Sequence, residues 1–365
     1  MTKAVRQPEE SALLTLRDVA EQAGVSVSTV SLVLNGRDKG RVRPEVGARV
    51  RDLAERLGYL PDLQARGFRT RRTHTIGLLS DQVASVPFSG EMLGGAQHVA
   101  GEEGYLLLLI DTDGDRRLER DAVDSLVQRN VDGLIYASAY HRLVDLPVVP
   151  PRIPLAVLDG RPSDDAVRAD SVVPDERGGA RDAVSALVRA GHRRIAFCTV
   201  SDDIPATRER RAGYEDALRA GGIDIDDALT GVASDSTTEA ARPVAWSLLD
   251  AADPPTAVFC FGDQLAFGFY QVAAHLGLSI PEDLSIVGFD NQHYVADALD
   301  PGLTTVQLPH RAMGERIAGA VIDRLRTPRA EWGPHGTELI PCRLVERQSV
   351  APPRSSRSAR RLRAV

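Results

Sequence analysis

From residue 15 the apolar positions run at helical spacing. Leu16, Val19, Ala20 and Ala23 share one face behind Thr15, a residue suited to capping a helix start. Gly24 ends that face, because glycine takes the left-handed conformation of a helix C-terminus. Ser26 caps a second short helix, from Val27 to about Leu34, with Val30, Val33 and Leu34 inward. Two short helices joined by such a turn predict a helix-turn-helix. Val27, Ser28 and Thr29 then open the helix that would enter a major groove. A third helix starts at Arg43-Pro44-Glu45, carries the stripe Val46, Val50, Leu53, Ala54 and Leu57, and stops at Gly58. On periodicity alone, a three-helix bundle used for protein contact fits these residues equally well.

Beyond residue 73 the pattern changes. Short β-rich apolar runs alternate with helical segments, and the alternation occurs twice. THTIGLLSD matches HRRIAFCTV, VDGLIYAS matches PTAVFCFGD, and IPLAVLDG matches DLSIVGFD. The helical segment opening at GGAQHVAGEEGY matches RRAGYEDALRAGG. Runs such as YLLLLI and TAVFCF are apolar on both faces, as strands of a covered parallel sheet are. Each half therefore reads as a parallel α/β unit.

Charge sharpens the division. The chain of 365 residues carries a formal charge of −7, which argues against a polyanion partner. Its distribution reverses that argument. Residues 1–72 carry +5, the last 15 residues carry +5, and residues 73–350 carry −17. A basic head on an acidic body suits a nucleic-acid contact confined to the head. The linker adds Arg66, Arg69, Arg71 and Arg72.

The segment TLRDVAEQAGVSVSTVSLVLNG, followed by RVRPEVGARVRDLAERLGYLPDLQARGFRTRRTHTIGLL, resembles the N-terminus of the lactose repressor (LacI/GalR) family of bacterial regulators. The likeness continues through RERRAGYEDALRAGGI, PTAVFCFGDQLAFGFYQVAAHLGLSIPEDLSIVGFDNQ and LDPGLTTVQLPHRAMGERIAGAVIDRL, and spans roughly residues 15–352. It implies an α/β protein. An N-terminal helix-turn-helix headpiece would precede a two-lobed periplasmic-binding-protein-like effector domain with parallel sheets. The implied division is a flexible N-terminus (1–14), a DNA-binding domain (15–60), a hinge helix (61–72), the effector-binding and dimerisation domain (73–350) and a disordered basic tail (351–365). Within the body, the first lobe would take residues 73–170 and about 301–330.

The resemblance implies a homodimer on a pseudo-palindromic double-stranded operator. Its candidate DNA-binding residues are Thr15, Ser26, Val27, Ser28, Thr29, Ser31, Leu32, Asn35, Arg66 and Phe68. Phe68 stands where the family usually places Leu as a minor-groove wedge, and Gly67 where Ser is common. Gly67 weakens the free hinge helix by ~1 kcal/mol relative to Ala. Leu32 stands where the family often has a guanine-reading Arg. Leu cannot donate to guanine, so the operator should differ from the common consensus at that base.

For the effector, candidate lining positions follow from strand ends, where open α/β sheets carry ligand groups. Asp159 ends IPLAVLD, Asp263 follows AVFCFG and Asp290 ends SIVGFD. Arg210 matches a family Arg that reaches the effector, and Phe88 matches a pocket-flanking aromatic. Ser236 replaces a stacking aromatic, Gly262 replaces the Asn of an Asn-Asp pair, and Asp113 is placed to reach the cleft from the first lobe. Carboxylates and an Arg suit a sugar or a related hydroxyl-rich metabolite. Each Asp could equally be a helix cap. Asp263 is the preferred ligand group.

Other classes are less well supported. No run approaches ~18 apolar residues, and Met1–Glu10 has no apolar secretory segment. Cys198, Cys260 and Cys342 form no metal or disulfide spacing, which suggests a reducing cytoplasm. DTDGD, with Asp111, Asp113 and Asp115, lacks the rest of a calcium loop. No P-loop, GxSxG or strand-borne GxGxxG is present, so neither enzyme chemistry nor a cofactor is expected. The tail has a single leucine, Leu362, and encodes no coiled coil. The alternative reading is a transport or sensor protein built on the two lobes alone.

Overall fold

The computed structural model describes residues 14–59, 72–83, 89–164 and 166–354. Its contacts divide the chain into two units, with the boundary after Thr73. The hinge segment from residue 60 to 71, with Arg66 and Phe68, lies outside the described residues, as does Phe88.

The first unit holds three helices, α1 (Leu16–Ala23), α2 (Val27–Leu34) and α3 (Pro44–Arg56). Thr15 and Asp18 form a reciprocal capping box on α1, and Gly24 closes it at φ 64°. Ser26 caps α2 by accepting from the Thr29 N–H at 3.1 Å. Val19, Ala20, Ala23, Val30, Val33, Val50, Ala54 and Tyr59 form the core of this unit. Leu34 is only partly buried.

The second unit contains two six-stranded sheets. The first is ordered β11-β5-β4-β3-β1-β2 and the second β12-β10-β9-β8-β6-β7. The first sheet uses β1 (Thr75–Asp81), β2 (Leu106–Asp111), β3 (Gly133–Val144), β4 (Leu155–Pro162), β5 (Asp170–Pro174) and β11 (Thr337–Ile340). The second uses β6 (Ile195–Val200), β7 (Thr230–Ala233), β8 (Ala257–Cys260), β9 (Ser285–Asp290), β10 (Thr304–Gln307) and β12 (Arg343–Val345). Every pairing is parallel except β10 with β12. The repeat in the sequence is thus structural, since β1, β3 and β4 occupy the places of β6, β8 and β9.

Helices cover both sheets. On the first lie α4 (Gly90–Glu102), α5 (Arg116–Gln128) and, further along the chain, α11 (His310–Arg326). On the second lie α6 (Glu176–Arg189), α7 (Pro205–Ala220), α8 (Thr238–Leu249) and α9 (Asp263–His275), with a short α10 (His293–Ala296). Helices α4 and α11 approach so closely that a Cβ on Gly314 would lie 2.0 Å from the Met92 carbonyl oxygen. Cys198 and Cys260 are fully buried in β6 and β8, where they act as small apolar side chains.

Two boundaries differ from the sequence-based expectation. Strand β10 pairs with β9, so residues 304–307 complete the second sheet rather than returning to the first. The first lobe is instead rejoined by α11 and β11, about residues 310–340. The tail also begins later than residue 351. The Ala351 carbonyl accepts from Ser285 Oγ at 3.1 Å, and the Arg354 guanidinium pairs with Asp283.

Candidate functional site

In the headpiece the exposed start of α2 forms a compact polar edge. Ser28 is exposed, and Val27 is 45% exposed although it is apolar. The Ser26 hydroxyl lies 2.8 Å from that of Ser28 and 2.9 Å from that of Thr29. Ser31 and Asn35 are tied together, the Asn35 amide donating to the Ser31 carbonyl at 2.6 Å. Leu32 is half-buried beside them. An edge of hydroxyls with one exposed apolar group can offer hydrogen bonds to base edges or phosphates and contact to a thymine methyl.

In the second unit a cleft of about 220 Å³ lies between the two sheets at their carboxyl ends. The first lobe contributes Tyr140, His141, Asp159 and His310, and the second contributes Glu176, Arg210, Ser236 and Asp290. Ser236 of the second lobe and Tyr140 of the first both line the cleft. Asp159 lies within β4 and Asp290 at the end of β9, with φ of 55° and 105°. Positive φ at two non-glycine residues flanking one cleft is the kind of strain found at binding sites.

Arg210 organises the second-lobe wall. Its Nε donates to Glu176 Oε2 at 2.7 Å and its Nη2 to Oε1 at 3.3 Å. Its Nη1 donates to the Phe261 carbonyl and lies 3.5 Å from Asp290 Oδ1. Phe289 and Phe261 cover the guanidinium, with ring centres 3.8 and 4.2 Å away. Burial, together with Glu176, pushes the Asp290 carboxyl up to about 6, against the pull of Arg210. Burial likewise raises Glu176 despite its pairing with Arg210.

The first-lobe wall is different. His141 is buried, and neither ring nitrogen has a partner. Burial, helped by Arg161 and Arg210, lowers it to about 3, so the ring is neutral. Asp159 is buried with Oδ1 unpartnered, and burial with Glu176 holds its carboxyl well above the usual range. The pairing of Arg142 with Gly160 sets His141 beside Asp159 on the neighbouring strand.

Of the sequence-based effector candidates, Asp159, Arg210, Ser236 and Asp290 meet in this cleft. Asp263 does not line it. Its carboxylate is fully buried, accepting from Thr305 Oγ1 at 2.5 Å and from the Gln292 N–H at 2.7 Å. Both oxygens are occupied, and the residue ties the start of α9 to β10. Asp113 is also elsewhere, on a turn where it accepts from Gln82 Nε2 at 3.0 Å. Asp115 caps α5, and Asp111 accepts from Ser80 Oγ. Among the described residues no group of three His, Cys, Asp or Glu is placed to hold a metal. No described helix is long and apolar enough to cross a membrane.

Sequence reasoning missed Tyr140, His141, Glu176, Gln264, Gln292 and His310, all of which line the cleft. Tyr140 and His141 escaped because β3 runs past the expected end of its apolar core, through an irregularity between Ala137 and Arg142. Glu176 could have been sought as the buried partner that Arg210 needs. For His310 the sequence offered no signal beyond its place at a helix start.

Comparison with known proteins agrees with this architecture. Residues 15–62 match the family described as bacterial regulatory proteins, lacI family, and residues 184–350 match a periplasmic binding protein-like domain. HTH-type transcriptional regulator DegA of Bacillus subtilis (strain 168) is 32% identical over 347 residues, covering 93% of this chain and 98% of that protein. HTH-type transcriptional repressor CytR of Escherichia coli (strain K12) is 32% identical over 359 residues, covering 94% and 98%. The solved complex of transcriptional regulator CelR with cellobiose is 29% identical, with a TM-score of 0.64 over 92% of this chain and 99% of that one. With a helix-turn-helix headpiece, two parallel lobes and relatives matched along nearly their whole length, the chain belongs to the lacI family of bacterial regulatory proteins.

Proposed function

We propose that this chain is a non-enzymatic repressor that binds a pseudo-palindromic operator as a homodimer and answers to a small hydroxyl-rich effector. The observation that carries the effector half is the cleft, where buried His141 and Asp159 Oδ1 have no protein partner. Buried polar atoms are normally hydrogen-bonded, so these await one. CelR holds cellobiose, and a saccharide or related metabolite is the class that fits here.

On the DNA side, Val27, Ser28 and Thr29 read the major groove from the exposed start of α2. Thr15, Ser26, Ser31, Leu32 and Asn35 support that edge and its phosphate contacts. The hinge around residues 61–68 docks in the minor groove, with Phe68 as the wedge and Arg66 on the backbone. Effector binding changes the angle between the lobes and so the spacing of paired hinges. The coupling is reciprocal, so operator alters effector affinity by the same factor. The protein works in the cytoplasm, on the nucleoid when bound to operator.

Selection of genomic fragments by the full-length protein, with and without candidate saccharides, tests this reading. Retained fragments should share an inverted repeat, and binding should weaken steeply with salt as counterions are released. Phe68→Ala should weaken operator binding and reduce DNA bending with the melting temperature unchanged. A lowered melting temperature with normal DNA binding would instead place Phe68 in a folded core.

A further inference from the structure

We infer that the effector carries a protonated nitrogen beside its hydroxyl groups, as a small polyhydroxylated amine of the amino-sugar class does. This rests on the cleft being the effector site. Three carboxylates, Asp159, Glu176 and Asp290, line it, and Arg210 is the one guanidinium among the described lining residues. Arg210 is already committed. Glu176 takes it through two nitrogens, the Phe261 carbonyl takes a third, and two aromatic rings cover it. Asp290 receives only a 3.5 Å approach from Arg210 and a 3.1 Å hydrogen bond from Gln292 Nε2. Asp159 Oδ1 receives nothing.

The cleft therefore holds more buried acid than its one cation offsets. A neutral hydroxyl would fill the open lone pair but leave Asp159 in the protonated form that burial favours. A protonated nitrogen supplies both a donor and the positive charge that lets the buried carboxyl ionise. A metal ion is the other cation, but no described cluster has metal-binding geometry. An anionic ligand would add to the imbalance. Neutral His141, with one donor and one acceptor, suits an adjacent hydroxyl, which offers both.

The charge match predicts a pH signature. Asp159 faces Glu176, Asp290, Arg210 and Arg142, while Asp290 faces Arg210, Glu176 and Asp263. His141 and His310 also feel Arg210 but stay neutral. A cationic ligand favours the ionised forms of Asp159 and Asp290, which burial otherwise holds protonated above the usual carboxylate range, so its binding releases protons and weakens as pH falls.

The test is calorimetry on the full-length protein with matched pairs: D-glucosamine against D-glucose, and D-galactosamine against D-galactose. At neutral pH the amine of at least one pair should bind about 10-fold or more tightly than its hydroxyl partner. The preference should shrink at about pH 5. Asp159→Asn should remove it, and a melting curve checks that this variant folds. If it does not fold, Asp290→Asn supplies the same comparison. Equal or tighter binding of the hydroxyl partners, still weakened by His141→Gln, overturns the inference and leaves the cleft as the effector site. Failure of every compound to bind at high concentration overturns both.

Discussion

The two lobes share one strand order yet meet the cleft in opposite electrostatic states. The second lobe is largely self-satisfied, because Arg210, Glu176 and the Phe261 carbonyl form a closed network against two aromatic rings, with Asp290 at its edge on the cleft. The first lobe is unfinished. His141 has two open nitrogens, and Asp159 has an open oxygen. Their cores differ in the same direction. Phe197 stacks on Phe259, which meets Phe289 edge-on, in the second lobe, whereas the first-lobe core has no phenylalanine among its described buried residues and is packed with Ile, Leu, Val, Ala and Met beside Tyr105 and Tyr136. A wall already satisfied keeps its shape without ligand, while a wall with open groups gains hydrogen bonds only when ligand arrives. The contrast assigns preorganisation to one lobe and ligand reading to the other.

Removing Arg210 is the strongest way to break the contrast. Arg210→Met leaves Glu176 and Asp290 buried without their cation, which should cost about 3–5 kcal/mol of stability in urea unfolding. A loss under ~1 kcal/mol would show that the network is not what holds that wall. Asp263 gives a smaller, sharper test within the same lobe. Asp263→Ala leaves Thr305 and the Gln292 N–H unpartnered and should cost about 1–3 kcal/mol. Effector affinity should change little, because the carboxylate does not reach the cleft. A large loss of affinity at unchanged stability would return Asp263 to the site.

The smallest effect concerns pH and the first lobe. Burial lowers His141 to about 3 and His310 to about 4, so both stay neutral in the fold while their unfolded forms protonate. Their contribution to stability is full above the unfolded value of 6.5 and is lost as pH falls from there toward 4. Asp290 acts oppositely. Its raised value favours the fold at low pH, and that gain disappears as pH rises through about 6. His141→Gln should therefore recover about 1.4 kcal/mol one pH unit below 6.5. Melting temperatures of the two proteins across that range measure it. Parallel curves would mean that His141 is not held neutral by the fold.

Local chemistry made much of this protein legible before any coordinates. Helix caps act over three or four residues, so Thr15, Gly24 and Ser26 marked their helix ends correctly. Two-sided apolar runs marked most strands and exposed the repeat of one lobe in the other. Strand ends pointed to Asp159 and Asp290, and a family likeness pointed to Arg210. What the sequence could not settle was which way each strand-end carboxylate faced. Asp263 and Asp290 follow neighbouring strands of one sheet, yet Thr305 and the Gln292 N–H occupy the first while the second opens on the cleft. That choice depends on partners 29 and 42 residues away. His141 was hidden for the same reason, since an irregular pairing of β3 with β4 carries it past an apparent strand end. Sequence patterns report periodicity and caps, which are short-range properties. Whether a buried polar atom is satisfied is decided by strands and helices that only the tertiary fold brings together.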